Sequence, residues 1–247
     1  MAKVLAIGQP VNDAERIAIA HLRDHLPDSF TVLHNFRIDR QGESFEIDIA
    51  LLAPHALYVI DVKGTRGLID VHGPKWYPEG RSPFPSPLAK LQSHAKAIKG
   101  IVTASHPGRQ ELDYIHVAAA ILLTAPDAHL VDPADIDARG VVKLKDAERY
   151  FKDTTQVPAG RNKAISGLHS LISHALHLKA KPTTGRPKYG HWQVLERLGA
   201  SKTYTESRAQ NVFAGGTARV RLYTADPYQP EQQRKEAHRK ALAAQRE

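Results

Sequence analysis

Residues 45–63 have the sequence FEIDIALLAPHALYVIDVK, in which two apolar runs flank a proline-histidine corner. Both runs have the pattern of β-strands, and the corner at residues 54 and 55 predicts a tight turn between them. A hairpin centred on this corner pairs positions whose numbers sum to 109, which places Asp48 directly opposite Asp61. Because side chains alternate faces along a strand, Lys63 lies on the same face as Asp61.

Two opposed aspartates create an electrostatic problem for the sheet. Directly opposed residues have Cβ atoms about 5 Å apart, and like charges at that distance are destabilising unless a positive charge lies between them. A divalent metal ion beside Lys63 would neutralise the pair. The alternative is that Asp48 faces solvent and that Asp61 and Lys63 form an ion pair on an exposed face. The apolar run around Asp61 favours the metal, because an unpaired carboxylate is costly in a central strand.

These residue types match the requirements of phosphodiester hydrolysis. That reaction needs carboxylates to hold Mg²⁺, an activated water, and a cation that stabilises charge in the transition state. Asp48 and Asp61 would be metal ligands, and the backbone carbonyl of Val62 could be another. Lys63 would orient or deprotonate the water.

The composition limits the class of protein and the kind of metal. The chain has 247 residues, 42% of them hydrophobic, which predicts a soluble, globular protein with one large domain or a domain with an appendage. No apolar run is long enough to span a bilayer and the start is too short for a signal peptide, so we expect a cytoplasmic protein without membrane contact. The absence of cysteine excludes disulfides and thiolate ligands, which leaves hard cations such as Mg²⁺ or Mn²⁺.

The charge balance indicates a polyanionic partner. The net charge is +8 and the pI is about 9.6. Aromatic residues make up only 6% of the chain, so contact with a DNA duplex backbone is favoured over stacking on single-stranded bases.

Two helices carry the remaining candidate residues. Asn12 to Glu15 has the capping-box pattern and opens a helix with an apolar stripe, so Glu15 is explained either by capping or by a functional role. Ser86 and Pro87 predict the start of a second helix, with Gln92 at the margin of its apolar face. Lysines 90, 96 and 99 of that helix either face solvent or contact phosphate.

We also predict strands over 30–38, 68–71, 114–124 and 140–144, a helix over 164–175, and a loop over 73–87.

The pattern Asp-x12-Asp-x-Lys, preceded by a helical glutamate and followed by a helical glutamine, resembles the PD-(D/E)XK nuclease fold. More narrowly, residues 45–48, 58–67 and 86–92 resemble the nuclease-related domain, NERD, and the resemblance covers about residues 10–150. It implies that Glu15 joins the metal site and that Gln92 lies beside it. Two positions depart from the family pattern: Asp61 replaces the usual glutamate, and Ser86 replaces a common asparagine. The aspartate is shorter by one methylene group, which weakens or shifts the metal without abolishing the site.

The end of the chain has a second resemblance. Residues 192–204 and 218–228 resemble the first strands of a protein-kinase N-lobe, as in NERD-kinase proteins of the BREX and phage-growth-limitation defence systems. Only Gly199 of the phosphate-covering glycine loop is present, and Arg221 stands where the ATP-anchoring lysine is expected. The catalytic loop is absent, so this chain alone cannot be a kinase. We therefore predict an α/β, PD-(D/E)XK nuclease-like domain with a mixed sheet flanked by helices over 1–180, a linker over 181–190, and a partial kinase-like N-lobe over 191–247.

Three hypotheses of function follow from these resemblances. The first is a Mg²⁺- or Mn²⁺-dependent DNA phosphodiesterase module of a phage-defence protein, with other phage-defence proteins as partners. The second is a non-catalytic, metal-free NERD module that binds DNA or a partner and regulates an attached serine/threonine kinase or pseudokinase. The third is that the complete protein acts mainly by serine/threonine phosphorylation.

Overall fold

The structure is a computed structural model that describes residues 1–40, 43–158, 161, 164–183, 186–200, 204–223 and 239. In chain order its strands and α-helices are β1 Lys3–Ala6, α1 Asp13–His25, β2 Thr31–Arg40, β3 Glu43–Leu52, β4 Leu57–Lys63, β5 Leu68–His72, β6 Lys75–Pro78, β7 Phe84–Pro85, α2 Pro87–Ser105, β8 Val117–Leu123, β9 His129–Val131, β10 Val141–Lys143, α3 Ala147–Lys152, α4 His169–Lys179, β11 Ala180–Pro182, β12 Lys188–Tyr189, β13 Trp192–Ala200, β14 Tyr204–Asn211 and β15 Thr217–Tyr223. Short 3₁₀ segments occur at Gln110–Tyr114, Ala138–Gly140, Leu144–Asp146, Thr154–Gln156 and Ser166–Leu168.

A mixed central sheet organises the first 180 residues. Its strand order is β1-β2-β3-β4-β8-β10, and β11 also pairs with β2. The strand β3 is antiparallel to both of its neighbours, β2 and β4, whereas β1 runs parallel to β2, and β8 runs parallel to both β4 and β10. This mixed sheet, flanked by helices, confirms the predicted α/β fold class.

Helices cover both faces of this sheet. Apolar side chains of α2 and α4 pack on one face, and those of α1 and α3 pack on the other. The predicted stripe of α1 is buried, with Ala18 and Leu22 fully inaccessible. Burying a leucine- or isoleucine-sized side chain stabilises a fold by about 2 kcal/mol, so each amphipathic helix is held mainly by this face.

The β3–β4 hairpin has the predicted register. Leu52 pairs with Leu57, and the ladder continues to Ile49 and Ile60. The turn between the strands is closed by a 2.9 Å hydrogen bond from the amide of Ala53 to the carbonyl of Ala56. Within these two strands the regular ladder stops at Ile49, one residue before the two aspartates.

Side-chain alternation changes phase on both strands that meet at Asp48. In β2, Leu33 and Phe36 enter the same core cluster although they are three positions apart. In β3, Ala50 and Ile47 do the same. The residue at the break in β2 is Asn35, whose φ of 55° is one that asparagine tolerates better than most residues. Strict alternation would have put each of these pairs on opposite faces.

Three predicted segments differ in detail from the structure. Residues 73–87 were predicted as loop, but β6 and β7 form a second sheet of order β7-β6-β5-β9, in which Trp76 is fully buried. The helix predicted over 164–175 begins later, at His169, and continues to Lys179. The predicted linker over 181–190 begins too early, because Lys181 and Pro182 of β11 pair with β2 and extend the central sheet.

The strands β12, β13, β14 and β15 form a third sheet in that order, which contacts the first turn of α1. The amide of Lys188 donates to the carbonyl of Val11 at 2.6 Å, and the guanidinium of Arg16 donates to the carbonyl of Lys188 at 2.6 Å. Arg16 also lies 4.4 Å from the ring centre of Tyr189. The polar helix predicted over 231–247 lies outside the described residues, apart from Arg239.

Among the residues that the structure describes, none of the helices combines the length and the apolar composition needed to cross a bilayer.

Gly8 allows a close approach that supports the phase change in β2. A Cβ atom at this position would lie 2.2 Å from the carbonyl oxygen of Asn35. We expect Gly8→Ala to lower the free energy of unfolding by about 2 kcal/mol, because the backbone would have to move. Urea unfolding followed by circular dichroism measures this change. Gly167→Ala is the matched control, since nothing lies within 4 Å of its added Cβ; equal stability of both variants would contradict the close approach.

Candidate functional site

Asp48 lies at a break in the sheet. There its side chain, instead of a backbone carbonyl, accepts a hydrogen bond from the neighbouring strand. The ladder between β2 and β3 passes from the pair His34 and Ile49 to the pair Phe36 and Ile47, without Asn35 and Asp48. Instead, the Oδ2 atom of Asp48 accepts a 2.7 Å hydrogen bond from the amide of Val62 in β4. The carboxylate therefore lies at the edge of β4, between the two faces of the sheet.

Asp61 and Lys63 lie beside it on the α2 face. Leu57 and Val59, which lie on the same face of β4 at intervals of two residues, belong to the core under α2. The ammonium of Lys63 donates to Oδ1 of Asp61 at 2.8 Å, and the two side chains are 32% and 21% exposed. In this geometry Lys63 is a hydrogen-bond donor beside Asp61.

The pKa of Asp48 is raised well above its ordinary value. The main cause is burial, followed by the charge of Asp61 and then the charge of Glu15; the hydrogen bond from the Val62 amide acts in the opposite direction. A hydrogen bond between the side chains of Asp48 and Asp61 contributes to the same shift. Three acidic groups are therefore crowded together beside Lys63, which is the condition that a bound cation would relieve.

Glu15 reaches this cluster from α1, on the other face of the sheet. Its side chain is 2% exposed. Oε2 accepts from the amide of Val11 at 2.9 Å and from the side-chain amide of Asn35, and Oε1 accepts from the side-chain amide of Asn12. Burial raises the pKa of Glu15, and these donors partly offset the shift. The side chain of Asn12 caps α1, because its Oδ1 accepts from the Glu15 amide at 3.0 Å.

A buried polar chain links β2 to Glu15. Nδ1 of His34 lies 2.7 Å from Oδ1 of Asn35, and the amide of Asn35 donates to Glu15. Since a carbonyl oxygen only accepts, His34 carries its proton on Nδ1, and burial lowers its pKa. The sequence interpretation missed both residues. The signal for them was present, because two adjacent polar residues separate the apolar pair Val32 and Leu33 from Phe36.

The predicted carbonyl ligand also faces this region. The amide of Leu57 donates to the carbonyl of His116, and Thr124 donates to the carbonyl of Lys63, so odd-numbered residues of β4 bond to β8. Successive residues of a strand direct their backbone groups to opposite edges. The carbonyl of Val62 therefore faces β3, beyond the last regular pair of that ladder.

A cleft of about 580 Å³ opens above Asp48, Asp61 and Lys63. Basic side chains that the sequence interpretation did not assign to the site also line it: Arg81, Lys90 and His94. The His94 ring stacks on Phe45 at a centroid distance of 4.7 Å. Burial and the charge of Lys90 lower the pKa of His94, while Asp61 raises it.

Gln92 does not line this cleft. It is exposed and lines a different cavity, together with Lys96 and Lys99 of the same helix. In α2, the residues that turn toward the aspartates are Lys90, Leu91 and His94. Neighbouring residues of α2 line the cleft in place of Gln92, which is therefore not part of the candidate site.

The oxygen donors fit a small hard cation held partly by its substrate. Within the described residues, no group of three or more histidine, aspartate or glutamate side chains is arranged to hold a metal ion. Mg²⁺, however, is commonly bound through one or two carboxylates and completes its coordination with water and substrate phosphates. Asp48 and Asp61, with the carbonyl of Val62, would be the residues to supply such a set.

Removing the charge of Asp48 should stabilise the metal-free protein. We expect Asp48→Asn to raise the melting temperature at pH 8 without metal by about 3 °C, since the amide oxygen still accepts from Val62. A carboxyl whose folded pKa is raised costs stability once the pH rises above its pKa in the unfolded chain. The gain should therefore be greatest at pH 8 and shrink as the pH falls toward the ordinary pKa of 3.8.

Differential scanning fluorimetry at several pH values checks this expectation. Asp28→Asn, at an exposed site, is the matched control and should change the melting temperature by less than about 1 °C. A lower melting temperature for Asp48→Asn at pH 8 would show that the carboxylate is not under repulsion.

Comparison with known proteins gives one match. The family model of the nuclease-related domain, NERD, matches residues 11–124, a little under half of the chain. A search of the curated proteins and a search of the solved structures each found no match. The matched segment runs from the start of α1 to the end of β8 and contains Glu15, Asp48, Asp61 and Lys63. Residues 11–124 are thus similar to a nuclease-related domain, on a fold consistent with that of nucleases.

Proposed function

We propose that this chain carries a Mg²⁺- or Mn²⁺-dependent DNA phosphodiesterase module. The observation that carries the proposal is the convergence of Asp48, Asp61 and Lys63 in one cleft, within the segment that matches NERD. The basic side chains of Arg81, Lys90 and His94 line the cleft, together with the carboxylate of Glu46. Asp48 and Asp61, with the carbonyl of Val62, are the proposed metal ligands.

The reaction is hydrolysis of a phosphodiester. An oxygen of water forms a bond to phosphorus, the bond to the leaving deoxyribose oxygen breaks, and the leaving oxygen takes up a proton. Mg²⁺, when bound, supplies positive charge at the phosphate and makes water more acidic. Lys63 donates hydrogen bonds to the water or to a phosphate oxygen, and Asp61 holds the ammonium in place. Glu15 acts through charge from the opposite face.

The cations around the cleft support a duplex substrate. Arg81 and Lys90 are exposed and line the cleft beside Lys63. A smaller adjoining cavity of about 340 Å³ shares Lys63 and Arg81 and adds Lys188 from β12. This row of positive charge continues past the aspartates, as contact with successive backbone phosphates requires. Phage DNA is the substrate that the resemblance to NERD-kinase defence proteins implies, with other defence proteins as partners.

A second candidate is a metal-free NERD module that binds DNA and regulates an attached kinase or pseudokinase. It is favoured by the three donors that already occupy the Glu15 carboxylate, and by the contact of β12 with the first turn of α1. That contact would relay a change at the third sheet to the helix that carries Glu15. This candidate predicts DNA binding without cleavage.

Plasmid cleavage combined with thermal shift separates the two candidates. With 5 mM Mg²⁺ or Mn²⁺ we expect nicking of supercoiled plasmid by the wild type, and a loss of about 100-fold or more in Asp61→Ala and Lys63→Ala. The metal should raise the melting temperature of the wild type by about 3 °C. Lys63→Ala should keep this shift, because lysine is not a ligand, whereas Asp61→Ala should lose it.

Cleavage that survives in Asp61→Ala would indicate a contaminating nuclease. No cleavage and no thermal shift with either metal, while DNA still binds, would contradict the phosphodiesterase and support the metal-free module.

Lys90 should contribute one phosphate contact. We expect Lys90→Gln to weaken binding of a 20-base-pair duplex about threefold to tenfold and to reduce the slope of log affinity against log salt by about one. Fluorescence anisotropy from 50 to 300 mM NaCl measures both quantities. Lys145→Gln, at an exposed lysine outside the cleft, is the matched control. An unchanged salt slope in Lys90→Gln would place the DNA path elsewhere.

A further inference from the structure

Part of the edge of β8 is open. In the described part of the chain, β10 pairs only with Ile121–Leu123, so the first residues of β8 have no neighbouring strand on that side. Even-numbered residues of this region bond to β4, as His116 and Thr124 show. Because backbone groups alternate between the two edges of a strand, Val117 and Ala119 direct their amides and carbonyls toward the open edge. The exposure of β8 agrees, since residues 117–119 are half-buried and residues 120–123 are buried.

A cavity of about 650 Å³ lies against this open edge. Small side chains flank the edge, with Ala95 of α2 and Ala119 of β8 on one face of the sheet and Ala118 on the other, so the backbone edge is accessible to a flat group. Polar side chains that can donate or accept hydrogen bonds stand around it: Gln92, Tyr150, Thr155 and Gln156.

One side of the cavity is strongly basic. Lys96 and Lys99 from α2, Arg161 and His116 line it. Among the described residues, no carboxylate forms an ion pair with either lysine or with Arg161, whereas the carboxylate of the cavity, Asp135, is paired with Arg139 at 3.1 Å.

These cations are close enough to repel one another. Burial lowers the pKa of Lys99, and the charge of Arg161 lowers it further, against a smaller opposing effect of Asp113. Burial also lowers the pKa of His116, with additional contributions from Arg161, Lys99 and His55. A cluster of like charges at the wall of a cavity is stabilised when an anion binds there.

We propose that this cavity is a binding site for a nucleoside phosphate. The phosphates contact Lys96, Lys99 and Arg161, and the edge of the base, which offers a hydrogen-bond donor next to an acceptor, pairs with the backbone of Val117 and Ala119. The small alanine side chains on both faces leave room for the plane of the base beside the strand edge. A bare phosphate would use the cations but would leave the open strand edge without a partner.

The site is separate from the aspartate cleft, and the proposal does not depend on the phosphodiesterase. Along β4, Tyr58 lines the nucleotide cavity and Asp61 lines the cleft, a separation of about 10 Å. The two cavities also face opposite ends of β8, since the open edge lies at its start.

Isothermal titration calorimetry of the full chain with ATP, in EDTA at 50 mM NaCl, tests the proposal. We expect ATP to bind with a Kd between about 10 and 500 μM, and both inorganic tripolyphosphate and adenosine to bind at least about tenfold more weakly. The double variant Lys96→Gln/Lys99→Gln should weaken ATP at least about tenfold. Lys75→Gln/Lys145→Gln removes the same charge from exposed sites away from the cavity and should bind ATP as the wild type does.

A second measurement keeps the test independent of folding defects in the variants. In a ¹⁵N–¹H spectrum of the wild type, ATP should shift the amide signal of Ala119, and tripolyphosphate should shift it less. No binding of ATP, equal binding of tripolyphosphate, or full binding by the Lys96→Gln/Lys99→Gln variant would each overturn the proposal.

Discussion

The hydrogen bond from the Val62 amide to the Asp48 carboxylate is the interaction on which the candidate site depends. It replaces a backbone rung of the β3–β4 ladder and holds an acidic group in the plane of the sheet. A carboxylate on one face of a regular strand would meet neighbours on that face only. At the break, Asp48 is instead within electrostatic range of Glu15 on one face and of Asp61 on the other. The site is therefore assembled through a defect in the sheet.

Maintaining this defect requires support from residues that do not touch a substrate. Asn35 takes a positive φ and shifts the phase of β2, and Gly8 leaves room for its carbonyl. His34 fixes the orientation of the Asn35 amide, which then donates to Glu15. The result is a cluster of acids that is electrostatically unfavourable without a cation. Such stored repulsion is typical of functional sites, because the residues that bind a ligand are not the ones that maximise stability.

Much of the fold could be predicted from local pattern. The register of the hairpin followed from its turn, and the caps at Asn12 and Ser86 marked the starts of two helices, because these signals depend on a few adjacent residues. The phase change at Asp48 could not be predicted, since it depends on Asn35 in a neighbouring strand. The resemblance implied that Gln92 lies beside the site, whereas Lys90 and His94 of α2 line the cleft. The pairing of β11 with β2 joins residues far apart in sequence, and composition alone indicated a linker.

The central claim is that one cation is shared by Asp48 and Asp61. A crystal of the protein soaked in Mn²⁺ and measured at a wavelength with strong manganese anomalous scattering tests it most directly. The predicted result is an anomalous peak within about 2.5 Å of a carboxylate oxygen of both residues, lost in a crystal of Asp48→Asn. A map without a peak between these two side chains at saturating Mn²⁺, or with its strongest peak elsewhere, would contradict the claim.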